Sequence, residues 1–248
     1  MSDWEEIETN LARVRERIAA AARRSRRRPE EITLVAITKT HPAHVVEVAY
    51  EVGLRDFGEN RVREASQKIP AVQERITTAD RPRWHMVGHL QRRKVQLAVA
   101  LFDLIHSVDS LRLAQRINRV AEEAGKVMQV LLEVNVSGES SKYGFDQSPQ
   151  ADPKVRAAFL ADVEQILALP HLRTCGLMTM APIVTNPEQA RPVFVALREV
   201  RDDLHRHFPG ADWRELSMGM TDDFEVALEE GATMVRIGRA IFGERKHP

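Results

Sequence analysis

Leu34-Val35-Ala36-Ile37-Thr38-Lys39-Thr40-His41-Pro42 is a short apolar run that ends on a single lysine. The apolar residues at 34–37 read as a buried strand, and a helical pattern begins only after Pro42, so Lys39 falls where the strand runs out. A lysine drawn into a partly dry pocket loses some of its preference for the charged form, and its neutral amine can attack an aldehyde to form a Schiff base. Taken alone, the same residues also describe a lysine snorkelling at a strand end. The choice between these readings depends on the rest of the chain.

From residue 33 onward, short apolar strands alternate with longer helical patterns. The strands are predicted at 33–38, 55–58, 83–87, 104–107, 127–136, 172–178, 214–217 and 233–237. The helices fall at about 43–52, 60–77, 92–101, 110–124, 154–168, 187–207, 222–230 and 239–243. Eight strands, each followed by a helix, predict a single (β/α)8 TIM barrel with parallel strands and one domain over 1–248; an open doubly wound sheet is the alternative. Ahead of the barrel, Trp4, Ile7, Leu11, Val14 and Ile18 recur at helical spacing, which predicts an additional N-terminal helix within 1–28 packed on the barrel. Ser2 and Glu5 fit a capping box at its start. The basic run at 23–28 sits before Pro29, where cations suit a helix end.

Lys plus Arg equals Asp plus Glu at 36 each, so the global field gives no reason to expect nucleic acid or an anionic membrane as partner. No apolar run approaches the length of a membrane span. The acidic start, with Glu5, Glu6 and Glu8, argues against a secretory or transit peptide, and a cytoplasmic location is expected. Cys175 is the sole cysteine and reads as a small buried thiol in a strand. The polar stretch at 144–153 reads as a loop on the barrel rim.

In such a barrel the ligand site lies at the C-terminal ends of the strands. The ends carry Lys39, then Phe57-Gly58-Glu59-Asn60, Trp84-His85-Met86-Val87-Gly88-His89, His106-Ser107-Val108-Asp109, Glu133-Val134-Asn135 and Gly176-Leu177-Met178-Thr179-Met180. Glu59 and Asn60 are also candidates to cap the next helix, and Met178 and Met180 to pack the core. His85 and His89 are four apart without an HExxH pattern, and no metal site is expected. Ser217-Met218-Gly219-Met220-Thr221 offers a hydroxyl, a flexible glycine and a candidate N-cap. Arg236-Ile237-Gly238-Arg239 adds a second turn beside it. Loops after strands seven and eight are where many barrels bind phosphate, although Asp222 and Asp223 would oppose an anion there. Lysine, phosphate cradle and arginine together describe a pocket for a phosphorylated aldehyde; a Schiff-base aldolase is one such protein.

These ordered blocks resemble the pyridoxal phosphate homeostasis protein family, whose barrel is similar to the N-terminal domain of alanine racemase. The resemblance runs over nearly the whole chain. It implies that Lys39 holds pyridoxal 5'-phosphate (PLP) as an internal aldimine and that Ser217, Gly219, Thr221 and Gly238 hold the phosphate. It further implies that Arg236 faces the pyridine nitrogen and that Asn60, His85 and Met178 line the ring. Thr38 and Thr221 stand where serine is common, and both keep the hydroxyl. A guanidinium donates to an unprotonated ring nitrogen, which weakens the cofactor as an electron sink. Racemases of this barrel type add a tyrosine from a second domain, and here only Tyr50 and Tyr143 exist, with no second domain expected. The expectation is therefore a carrier or buffer of PLP without strong catalytic activity, serving vitamin B6 and amino-acid homeostasis; a PLP-dependent racemase is the alternative. PLP-dependent apoenzymes are the expected recipients, and the chain is expected to act as a monomer.

Overall fold

A computed structural model describes residues 3–243. The chain begins with α1 (Asp3–Arg24) and then alternates: β1 (Thr33–Ile37), α2 (Ala43–Glu51), β2 (Asp56–Glu59), α3 (Val62–Arg75), β3 (Arg83–Met86), α4 (Val95–Leu101), β4 (Leu104–Val108), α5 (Leu111–Glu123) and β5 (Met128–Asn135). There follow β6 (Phe145–Asp146), α6 (Pro153–Leu167), β7 (Leu172–Met178), α7 (Arg191–His207), β8 (Glu215–Ser217), α8 (Phe224–Glu229), β9 (Met234–Ile237) and α9 (Arg239–Phe242). The strands pair in parallel in the order β4-β3-β2-β1-β9-β8-β7-β5, and the β4–β5 pairing closes the ring. The eight predicted strands are the eight staves of this barrel. The two-residue β6 is an addition, paired on β5 through Val134 and Phe145, inside the stretch that polarity alone marks as loop.

Alternation along each strand sorts side chains to two sides. Ala36, Phe57, Trp84, Ile105 and Leu216 join the large core between strands and helices. Leu104, Leu131, Cys175, Met178 and Met234 form a small cluster of their own, as do Val35, Ile37 and Val87. These fill the inside of the barrel. Cys175 is buried there, as its apolar neighbours predict. Lys39, two residues beyond Ile37, lies in the turn that follows β1, closed by the His41 N–H donating to the Thr38 carbonyl at 3.0 Å.

The last βα unit is short, since α9 has only four residues, and α1 packs across that gap against α8, α9 and α2. Its buried stripe is Ile7, Leu11, Val14, Ile18, Ala21 and Ala22, while Trp4 at 39% stays exposed. Polar contacts follow the same seam: Arg17 donates to Glu225 at 3.0 and 3.2 Å and Asn10 to the Ile241 carbonyl at 3.1 Å. Arg23 and Arg24 lie in the last turn of α1. Arg27 lies beyond the helix and donates to the Ala232 carbonyl at 2.7 Å, so the basic run serves this seam. The capping box expected of Ser2 lies outside the described residues. No helix among them is long and apolar enough to cross a membrane.

Candidate functional site

Lys39 follows β1 at the C-terminal mouth and is half-buried. Its two neighbours are braced by a network on the outer side of β1 and β2. Lys68, from α3, donates to the Thr38 carbonyl at 2.7 Å, to Glu59 Oε1 at 2.6 Å and to Glu64 Oε1 at 2.9 Å. The Thr38 hydroxyl donates to Glu59 Oε1 at 2.6 Å, and the Thr40 N–H to Glu64 Oε1 at 2.5 Å. Thr40 has φ of 69°, a left-handed conformation that costs a β-branched residue about 1–2 kcal/mol. The bond to Glu64 helps hold that conformation. Glu59 is fully buried, and burial outweighs Lys68 and Thr38, so its carboxyl is raised above the usual range. It does not cap a helix. The N-cap of α3 is Arg61, with no side-chain cap, because the outward phase of β2 turns Glu59 under α3.

Inside the barrel, a second network crosses from β2 to β9. Asp56 Oδ1 lies 2.9 Å from His85 Nε2, His85 Nδ1 lies 2.9 Å from His106 Nε2, and His106 Nδ1 lies 2.9 Å from Ser217 Oγ. Arg236 donates through Nη1 to Ser217 Oγ at 2.6 Å and to the Ser217 carbonyl at 2.7 Å, and through Nη2 to the Thr179 carbonyl at 2.8 Å. Burial holds His106 well below its ordinary range, with His85 and Arg236 adding to the effect, so it is neutral. Burial also lowers Arg236 to about 10, against the opposing charges of Asp223 and Glu133. It remains charged at neutral pH.

Glu133, near the end of β5, faces the same interior and stands in register with Met178. It is 4% exposed, and its Oε2 has no hydrogen-bond partner. Burial, reinforced by Asp109 and opposed by Arg236, pushes its carboxyl up to about 7.

The turn after β8 is tight. Gly219 has φ of +92°, and a Cβ there would lie 2.6 Å from the Ala227 Cβ, so only glycine lets the loop pass under α8. Asp223, not Thr221, is the N-cap residue of α8, and its carboxylate accepts the Met220 N–H at 2.6 Å. Asp222 is paired with Arg239 at 2.7 Å, which tempers the repulsion an anion would meet. Thr221 and Gly238 are half-buried at this corner. Gly88 plays a similar role beside β2: a Cβ there would lie 2.4 Å from the Asn60 carbonyl, so the end of β3 closes onto the backbone of Asn60.

The expected site residues therefore fall into three groups. Lys39, Asn60 and Met178 stand at or near the strand ends, while Gly219, Thr221 and Gly238 form the corner after β8 and β9. His85, Ser217 and Arg236 lie deeper, tied to one another through His106. His85 and His89 diverge: His89 pairs with Asp109 at 3.2 Å and stacks on Tyr143 with ring centroids 3.7 Å apart. Lys68 and Asp56 join these networks without a signal at a strand end, while His106 and Glu133, noted at strand ends, had no role assigned. For Asp56, His106 and Glu133 the available signal was a polar residue on the inward phase of a strand. A lysine within a helix, such as Lys68, gives no such signal.

The loop above β5 is tied back to Asn135. Asn135 Oδ1 accepts from Ser137 Oγ and the Gly138 N–H, both at 3.1 Å, and Nδ2 donates to the Glu139 carbonyl at 2.9 Å.

A closed parallel barrel presenting a lysine, a buried arginine and a glycine-bearing corner at its C-terminal mouth defines a class, and residues 9–246 match the family model described as alanine racemase, N-terminal domain. An alanine racemase of Clostridium difficile shares the fold with a TM-score of 0.71 at 13% identity, over 98% of this chain and 58% of that one. Nearer relatives narrow the class. A pyridoxal phosphate homeostasis protein of Aquifex aeolicus is 42% identical over 237 residues, 96% of this chain and 97% of its own length. PipY of Synechococcus elongatus, solved with PLP bound, is 34% identical with a TM-score of 0.79, over 96% of this chain and 100% of that one. The chain belongs to the pyridoxal phosphate homeostasis protein family.

Proposed function

We propose that this protein binds PLP in the mouth of the barrel, linked to Lys39 as a Schiff base, and carries or buffers it in vitamin B6 and amino-acid homeostasis. The observation that carries this reading is the placement of two cations at neighbouring positions of the barrel: Arg236, buried on β9, stands beside Val35 of β1 in register, and Lys39 follows β1 farther toward the C-terminal mouth. The residues fit the group. Three of Arg236's N–H groups are engaged by Ser217 and Thr179, leaving Nε–H and one Nη2–H able to donate to an unprotonated ring nitrogen. Gly219, Thr221 and Gly238, with neighbouring backbone, hold the phosphate. Ser217 acts from beneath, since its hydroxyl is engaged by Arg236 and His106. Asn60, His85 and Met178 line or support the ring.

When bound, PLP supplies an electrophilic aldehyde. The chain masks it, keeps Lys39 braced through Lys68, and presents the Arg236 guanidinium to the ring nitrogen. In this reading the protein works as a monomer in the cytoplasm and hands PLP to PLP-dependent apoenzymes. The purified protein is expected to be yellow and Lys39→Ala colourless. Borohydride trapping followed by peptide mapping should place the label on Lys39, and a label on another lysine overturns the assignment.

A racemase-type reading has one observation in its favour: Glu133 is a pocket carboxyl poised near neutral pH. Deuterium exchange at the α-carbon of added amino acids separates the two, because sustained turnover contradicts a carrier.

A further inference from the structure

We infer that Asp56, His85 and His106 are positioning residues of the cofactor site: through Ser217 they hold Arg236 as a directed donor, and Asp56 terminates the chain at the opposite mouth of the barrel. The purpose assigned to the chain rests on the proposed PLP site, whereas its geometry does not.

The ends of the chain fix its direction. Arg236 can only donate, so Ser217 Oγ accepts from Nη1. The hydroxyl proton of Ser217 then needs an acceptor, and His106 Nδ1 is the side-chain atom in place to provide one. A neutral His106 with Nδ1 as acceptor carries its proton on Nε2 and donates to His85 Nδ1. His85 in turn carries its proton on Nε2 and donates to Asp56, an acceptor-only carboxylate. Every hydrogen from Arg236 Nη1 to Asp56 has a partner in this order. In the reverse order the Ser217 proton is left over, and an unmatched buried donor costs about 1–3 kcal/mol.

The chain also spans the barrel. Asp56 is the first residue of β2, at the N-terminal mouth and half-buried, with Arg83 at 3.5 Å. His85, His106 and Ser217 are fully buried and Arg236 is 5% exposed. A change at Asp56 therefore reaches the cofactor site without touching any residue at the C-terminal mouth.

Nitrogen-15 NMR of the ligand-free protein tests the order directly. His85 and His106 should both appear as Nε2–H tautomers, and an Nδ1–H form of either ring overturns the inference. The function of the chain is tested by PLP titration. His106→Asn, too short to bridge His85 and Ser217, should weaken PLP binding about tenfold, the scale of one hydrogen bond to a charged group, and shift the visible band of bound PLP. Asp56→Ala, a rim change that keeps the fold if His106→Asn does not, should act in the same direction, and Asp56→Asn, which can still accept from His85, should restore wild-type behaviour. A folded Asp56→Ala protein with unchanged affinity and spectrum overturns the positioning role. If the wild-type protein fails to take up PLP, the proposed function falls, while the tautomers still decide the chain.

Discussion

Glu133 is a carboxyl that the fold keeps in its acid form under conditions where a free glutamate is ionised. Its value rises from 4.5 to about 7 on folding, mainly through burial. The folded state therefore binds this proton more tightly than the unfolded chain. The resulting stability is present in full below the unfolded value, falls as pH rises from about 4.5, and is gone above about 7, a total of about 3 kcal/mol. Glu133→Gln keeps the shape and removes the titration. Urea denaturation should find the variant more stable by up to about 3 kcal/mol at about pH 8 and close to wild type near pH 4.5; equal differences at both pH values would refute the assignment. Residues of this kind were only partly legible in the sequence. Lys39, Ser217 and Arg236 stood out because each ends a strand beside a turn. Glu133 also ends a strand, yet the number of ionisable groups sharing its pocket is a property of the closed barrel.

At the scale of elements, α3 reaches over β2 to steady the segment that presents Lys39. Lys68 is 6% exposed and Glu59 is fully buried, so deleting the amine leaves a buried carboxyl with reduced compensation. Lys68→Met is expected to destabilise the protein by about 3–5 kcal/mol, read from denaturant melts. Lys68→Met combined with Glu59→Gln should recover part of that loss, and purely additive losses would show that the two do not act as a pair. The sequence pattern located α3 and β2 but left Glu59 between a strand-end site residue and a helix cap, since periodicity shows which elements exist and not which side chain reaches beneath its neighbour. The two-residue β6 was hidden for a related reason: Phe145 and Asp146 pair with β5 only because Asn135 folds the intervening loop back.

For the whole molecule, the barrel itself was readable, since eight apolar runs with turn residues after each leave few other ways to bury them. The role of α1 was readable only as far as its apolar stripe. Its buried Ile7, Leu11, Val14 and Ile18 close the outer layer where α9 is a single turn. At about 1.5–3 kcal/mol for each large side chain removed from water, the helix contributes on the order of 10 kcal/mol, comparable to the whole stability of a domain. Removing residues 1–24 should therefore abolish cooperative thermal unfolding, monitored by circular dichroism, and a truncated chain that melts like the parent would contradict this.

The seam also bears on the order of events during synthesis. Asn10 meets Ile241 and Arg17 meets Glu225, contacts spanning 231 and 208 positions along the chain, and β1 pairs with β9. α1 can meet α2 early, but the part of its surface that packs on α8 and α9 must wait until those elements, about two hundred positions further on, have been made. Contacts of such long range make closure slow, and an apolar stripe is left uncovered in the meantime. Part of the apolar stripe of α1 is thus protected only when the ring is complete.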